Sequence, residues 1–159
     1  MIVVLSTSDS ENSRGARCAS DIAARLAKET TREIRVVDWG HDPAAASATL
    51  ANQYEQITAV VMVAPVRNFG IAAPSKAAIE QLPDLFRERP VGIVMTAGTP
   101  RSLLAVQGLI IPLILDYQSV IYPKVVHLPG EPDEAERIET FAREFARFCE
   151  RFAPASAAE

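Results

Sequence analysis

Ile2-Val3-Val4-Leu5-Ser6-Thr7-Ser8-Asp9-Ser10-Glu11-Asn12-Ser13-Arg14 is the stretch that decides the fold. Four apolar residues in a row, Ile2 to Leu5, read as a short strand covered on both faces, and a run of hydroxyl-bearing residues follows. Beyond Ser13, the residues Cys18, Ile22 and Leu26 recur at helical spacing, so the unit is strand, polar loop, helix. Such a loop is suited to an anion, because the unpaired amides of a helix start and the helix dipole both face it. The same loop carries Asp9 and Glu11, and carboxylates repel a phosphate.

Further apolar runs at 34–37, 59–64 and 91–95, and a shorter one at 120–122, predict more strands, with helical patterns between them. Ile138, Phe141, Phe145, Phe148 and Phe152 are spaced by three and four; this is the packing face of a last helix rather than an aromatic ligand box. Strands alternating with helices predict an α/β protein with a parallel sheet and helices on both faces. The Ala-rich stretch 43–48 predicts a short helix with little to bury. Residues 1–152 form one domain in this reading, and the small, polar segment 153–159 is expected to be a disordered tail.

The 159 residues, 48% of them apolar, are enough for one core. A net charge of −4 without a basic stripe argues against nucleic acid and anionic membranes as partners. Cys18 and Cys149 form no C-x-x-C motif and are expected to be buried thiols in a reducing compartment; with no signal-peptide pattern, the expected location is the cytoplasm. His41 and His127 stand apart in loop-like settings and read as surface residues, so no metal site is expected. Residues 103–115 are apolar on nearly every face but fall short of the roughly 20 residues that cross a bilayer, so the expectation is burial against another subunit, in a homodimer or homotetramer. Pro112 is expected to kink this helix.

In an open parallel sheet, ligands sit at the carboxyl ends of the strands. The loops to inspect are therefore 6–14, 65–70 and 96–101. None contains a histidine, and none pairs a nucleophile with a base. The G-x-S-x-G, G-x-x-x-x-G-K-[ST] and G-x-G-x-x-G motifs are missing, and a receiver domain would need an acid where the third strand ends in Ala64-Pro65-Val66. No catalytic side chain is expected, a silence that suits a redox cofactor carrying its own chemistry.

The residues of these loops carry a resemblance. Pro65-Val66-Arg67-Asn68 is followed by Pro74, Lys76 and Glu80; Thr96-Ala97-Gly98 is followed by Leu104-Ala105-Val106-Gln107, Pro112 and Val120-Ile121-Tyr122-Pro123. In this order, over roughly 1–150, the chain resembles the NAD(P)H-dependent FMN reductases, including the flavin-supplying partners of two-component monooxygenases. The resemblance implies a flavodoxin-like three-layer sandwich whose five-stranded parallel sheet has the order 2-1-3-4-5. It implies FMN and NAD(P)H as cofactors, with hydride passing from the nicotinamide to FMN and on to free flavin or another small acceptor. Two alternatives stay open, a partner subunit that has lost FMN and a flavin electron carrier. The resemblance further implies that Ser6, Thr7, Ser8, Ser10, Asn12, Ser13 and Arg14 surround the FMN phosphate. Pro65, Val66, Arg67, Asn68 and Phe69 would flank the isoalloxazine on one side, and Ala97, Gly98, Thr99 and Arg101 on the other. Asn68 would hydrogen-bond the ring edge, and Gly98 would let backbone approach the ring. Ser13 is expected to cap the helix; Arg14 would reach a phosphate oxygen or remain solvated, and Lys76 reads as a surface lysine. Two departures stand out: Asp9 where the family has a phosphate-side cation, and Arg67 where an aromatic is common.

Overall fold

The computed structural model describes residues 1–152. Its sheet is built on β1 (Ile2–Ser6), β2 (Ile34–Asp38), β3 (Ala59–Arg67) and β5 (Pro90–Thr96), in the order β2-β1-β3-β5. All these pairings are parallel, with Ile2 opposite Ile34 and Ala59, and Val60 opposite Val91. The predicted fifth strand, 120–122, is β6 (Val120–Ile121), and beyond Pro123 an unexpected strand, β7 (Val126–Leu128), continues the edge; both pair with β5. Proline has no amide hydrogen to donate to a ladder, so the edge strand is interrupted there. The predicted loop 65–70 is also partly strand: β3 runs on to Arg67 and turns back antiparallel as β4 (Gly70–Ile71). The sheet therefore has seven strands where five were expected, with the expected order preserved.

Side-chain alternation along β1, β3 and β5 divides the core in two. Val3, Leu5, Val60, Met62, Ile93 and Met95 pack on one face against α2 (Pro43–Leu50), α3 (Ala73–Gln81), α4 (Pro83–Phe86) and α5 (Gln107–Leu115). Ile2, Val4, Val61, Val63 and Val94 pack on the other against α1 (Arg14–Glu29) and α6 (Glu134–Glu150). The predicted stripe of α1 is buried as read, and Ile138, Phe141 and Phe145 of α6 are core. Phe152 at the end of that stripe is exposed. Gly92 in β5 makes room for the phenylalanines: a Cβ there would lie 2.7 Å from the Phe141 ring and 3.0 Å from that of Phe145.

Residues 100–106 form a 3-10 helix that leads into α5, and α5 continues through Pro112 without a break. Leu109 and Leu113 of α5 are buried and Ile110 packs partly against the core, while Leu104 of the 3-10 helix and Ile111, Ile114 and Leu115 remain exposed. Cys18 and Cys149 are buried free thiols, and burial pushes both up to about 12. The expected tail, 153–159, lies outside the described residues. Among the described residues no helix is long and apolar enough to cross a membrane.

Candidate flavin site

Three loops meet at the carboxyl ends of β1, β3 and β5. The first is anchored at its root. The Thr7 amide and hydroxyl both approach the Val63 carbonyl at 3.0 Å, and the hydroxyl lies 2.7 Å from Ser75 Oγ of α3. Ser6 is also fully buried; its hydroxyl sits against α1 beside Ala16 and Ser20 with no hydrogen-bond partner. The hydroxyls of Ser6 and Thr7 thus lie beneath the loop, on opposite faces of the sheet. Ser8 is buried against the first turn of α1, where a Cβ on Gly15 would come within 2.0 Å of Ser8 Oγ. The loop's backbone is itself packed against Gly40, where a Cβ would lie 2.3 Å from Thr7 C and 2.4 Å from Ser8 O, so only glycine fits there.

Ser13 is the helix cap: its Oγ accepts from the Ala16 amide at 3.0 Å, and its own amide donates to the Ser10 carbonyl at 3.1 Å. Among the described residues the amides of 8–12 donate to no other backbone carbonyl. Ser10 and Asn12 are exposed beside them, and Asn12 offers its carbonyl to Arg17. Amides without a backbone acceptor next to a helix start are the donor set an anion needs.

The two departures from the family pattern meet here. Arg67 Nη2 donates to Asp9 Oδ1 at 2.6 Å, tying the hairpin to the first loop. Asp9 is therefore paired with a cation from β3 instead of standing alone in the first loop. Each departure read alone pointed to a defect; together they form one ion pair.

The β3–β4 hairpin turns on Asn68 and Phe69, whose φ angles are 50° and 62°. Two successive left-handed residues make the tight turn whose twist matches a two-residue hairpin. This conformation is unusual for phenylalanine and carries strain of roughly 1–3 kcal/mol. It leaves the Phe69 ring 65% exposed at the mouth of the site. Pro65 and Val66 are half-buried in β3, and the Pro65 carbonyl accepts from Ala72.

Arg14 connects the first loop to the third. Its Nη1 donates to the Ala97 carbonyl at 2.7 Å and its Nη2 to both oxygens of Glu134. The Ala97 amide donates to the Leu128 carbonyl of β7 at 2.9 Å. Gly98 follows with no atom within 4 Å of where its Cβ would be, so the backbone faces open space. Thr99 caps the 3-10 helix, its Oγ1 accepting from the Arg101 amide and its carbonyl from the Ser102 hydroxyl at 2.7 Å. The Arg101 side chain is exposed. Lys76 is exposed too and pairs with Glu80, as expected of a surface lysine.

His127 corrects the sequence reading, for it lies in β7 and is half-buried rather than sitting in a surface loop. Its Nε2 is 3.1 Å from Ser102 Oγ. With the Ser102 proton given to Thr99, the hydroxyl oxygen accepts and His127 Nε2–H donates. Burial and then Arg137 hold this imidazole below its ordinary value, so it is neutral near pH 7. No local pattern marks His127, Ser102 or Glu134, because their partners are remote along the chain. A groove of about 650 Å³ opens on the far side of β7 and α6, lined by Tyr122, His127, Arg137 and Phe141, and it touches the three loops only near Pro100.

A parallel sheet in the order 2-1-3-4-5, with unpaired amides at the first strand end and a clear glycine backbone at another, defines a flavodoxin-like protein. Residues 1–133 match the model of the NADPH-dependent FMN reductase family, and the chain belongs to that family. It is an NAD(P)H-dependent flavin oxidoreductase whose cofactors are FMN and NAD(P)H. The fold is shared with the apo form of the NADH:FMN oxidoreductase EMOB, at 19% identity and TM-score 0.76, covering 92% of this chain and 88% of that one. It is also shared with the flavoenzyme NAD(P)H:(acceptor) oxidoreductase FerB from Paracoccus denitrificans, at 16% identity, TM-score 0.71 and coverage of 95% and 97%. Flavodoxin 1 from Bacillus cereus is similar at 19% identity and TM-score 0.66, with coverage of 92% and 97%. No curated relative matches the chain.

The residues present suit FMN. The phosphate needs donors, and the amides of 8–12 are available. The ring needs an unobstructed backbone edge, and Gly98 provides one.

Proposed function

We propose that FMN lies across the three strand-end loops, its phosphate on the amides of 8–12 beside Ser10, Asn12 and the N-terminus of α1. The isoalloxazine then fits between the Arg67-Asn68-Phe69 turn and the Ala97-Gly98-Thr99 loop, leaving one face for the nicotinamide. The open backbone at Gly98, together with a hairpin tip that holds Phe69 exposed in a strained conformation, is the observation that supports this placement. Bound FMN supplies the hydride chemistry. The protein's part is to bind and orient the rings, and no side chain in the loops is needed as an acid or base. Free flavin or another small molecule is the acceptor; a monooxygenase that consumes reduced flavin is the partner such a reductase would serve.

Incubation with FMN followed by desalting tests this reading. A retained flavin spectrum that bleaches on addition of NADH or NADPH and returns in air is the expected result. Protein that shows no flavin after desalting and no quenching of FMN fluorescence at micromolar concentration would remove the cofactor from these loops.

A second copy of the chain is the proposed cover for the apolar face of the 3-10 helix and α5. Leu104 and Leu115 are 72% and 74% exposed there, with Leu103, Ile111 and Ile114 beside them. A contiguous apolar surface of this kind is uncommon on a monomer.

A further inference from the structure

Arg14 belongs by sequence to the phosphate loop, yet its guanidinium is directed elsewhere. Nη2 reaches Glu134 Oε1 and Oε2 at 2.5 and 2.6 Å, and Nη1 reaches the Ala97 carbonyl at 2.7 Å. Glu134 is fixed in turn, accepting the Gly130 amide at 2.5 Å from within the first turn of α6, where a carboxylate also complements the helix dipole. Although burial opposes the charge, the bonds from Arg14 and Gly130 hold this carboxyl below the usual carboxylate range.

The consequence falls on Ala97. Its amide is held by Leu128 from one side and its carbonyl by Arg14 from the other. The next residue, Gly98, has no side chain and no packing neighbour to restrain it. An unpacked glycine backbone is costly to order, so whatever fixes the preceding peptide sets how well the loop is presented. We propose that Arg14 and Glu134 are positioning residues for the flavin-ring loop, acting through the Ala97 carbonyl, and that Arg14 is not a phosphate ligand. This rests on the placement of the ring beside Gly98 given above.

The test compares FMN with riboflavin, which has the same ring and no phosphate, on the full chain and its Arg14→Ala, Arg14→Lys and Glu134→Gln variants. Binding is read by flavin fluorescence quenching, and the exchange of amide hydrogens in 97–102 is read without flavin. A phosphate ligand would affect FMN alone, whereas a ring-loop brace affects both flavins alike. For Arg14→Ala we expect both affinities to fall about tenfold, the scale of a lost charge-assisted network, with their ratio within about twofold of wild type. Exchange in 97–102 rises in the same variant, and Arg14→Lys, which cannot span both partners with a planar fork, gives the same pattern more weakly. Glu134→Gln falls between, because the amide oxygen still accepts one bond. Loss of FMN binding with riboflavin binding intact overturns the proposal, as does unchanged exchange in 97–102 in a folded Arg14→Ala or Arg14→Lys protein. If wild type takes up neither flavin, the placement of the ring is what fails; the exchange data then still decide whether Arg14 pins the loop.

Discussion

Arg67 and Asp9 are both well exposed, at 59% and 44%, and their contact is a single hydrogen bond. Such pairs contribute between 0 and about 1 kcal/mol, since water and salt screen them and two side chains must be ordered. A phosphate carrying nearly two charges is a stronger partner for the guanidinium than one carboxylate. In the proposed placement, Arg67 would exchange Asp9 for the phosphate while the rest of its turn flanks the ring, supplying the cation missing from the first loop. Arg67→Ala should weaken FMN about tenfold relative to riboflavin, and Asp9→Asn should tighten FMN severalfold, both measured as dissociation constants at low salt. Equal effects on both flavins would place Arg67 over the ring instead.

Among the elements, β5 and α6 show how a small residue positions a large one. Phe141 and Phe145 stack with ring centroids 5.3 Å apart, and Tyr122 meets both edge-on at 5.8 Å. This cluster sits directly on Gly92, so an added methyl group has no free volume. Since α6 also carries Glu134, a shift of this helix would be felt at Ala97. Gly92→Ala should destabilise the fold by about 1–3 kcal/mol, the usual cost of overpacking, seen as a lower urea midpoint at unchanged m-value. Unchanged stability would mean that α6 has slack against the sheet.

For the molecule as a whole, the open question is the apolar face of the 3-10 helix and α5. Its burial would remove roughly 25 cal/mol for each Å² of apolar surface covered. Leu104→Glu together with Leu115→Glu should shift a dimer or tetramer to monomer in analytical ultracentrifugation, with little change in circular dichroism. A wild-type protein that sediments as a monomer at tens of micromolar would exclude self-association through this face.

Most of the architecture was legible from one-dimensional pattern. Double-sided strands need continuous apolar runs and amphipathic helices need a stripe, and both rules act over a few residues; β1, β3, β5, α1 and α6 were visible for that reason, whereas β2, expected to be covered on both faces, is an edge strand with Val36 exposed. The hairpin at 65–71 was not, because its turn uses Asn68-Phe69 in place of the glycine-containing pair that usually signals one. The break of the edge at Pro123 and the strand position of His127 depend on pairing with β5, which no local pattern records. That the three loops stand together at one end of the sheet could be read from sequence, because the ends of parallel strands are a topological consequence. The direction of each side chain could not. Asp9 with Arg67, 58 residues apart, and Arg14 with Glu134, 120 apart, are contacts between remote segments. The sequence by itself determined the layered sheet, the family and which loops stand at the carboxyl ends of the strands, since periodicity and strand order follow from local burial. Only the tertiary structure decided which charges meet, because ion pairs are set by where the folded backbone brings side chains, and that joined two apparent defects in one contact and gave Arg14 its partners in Glu134 and the Ala97 carbonyl.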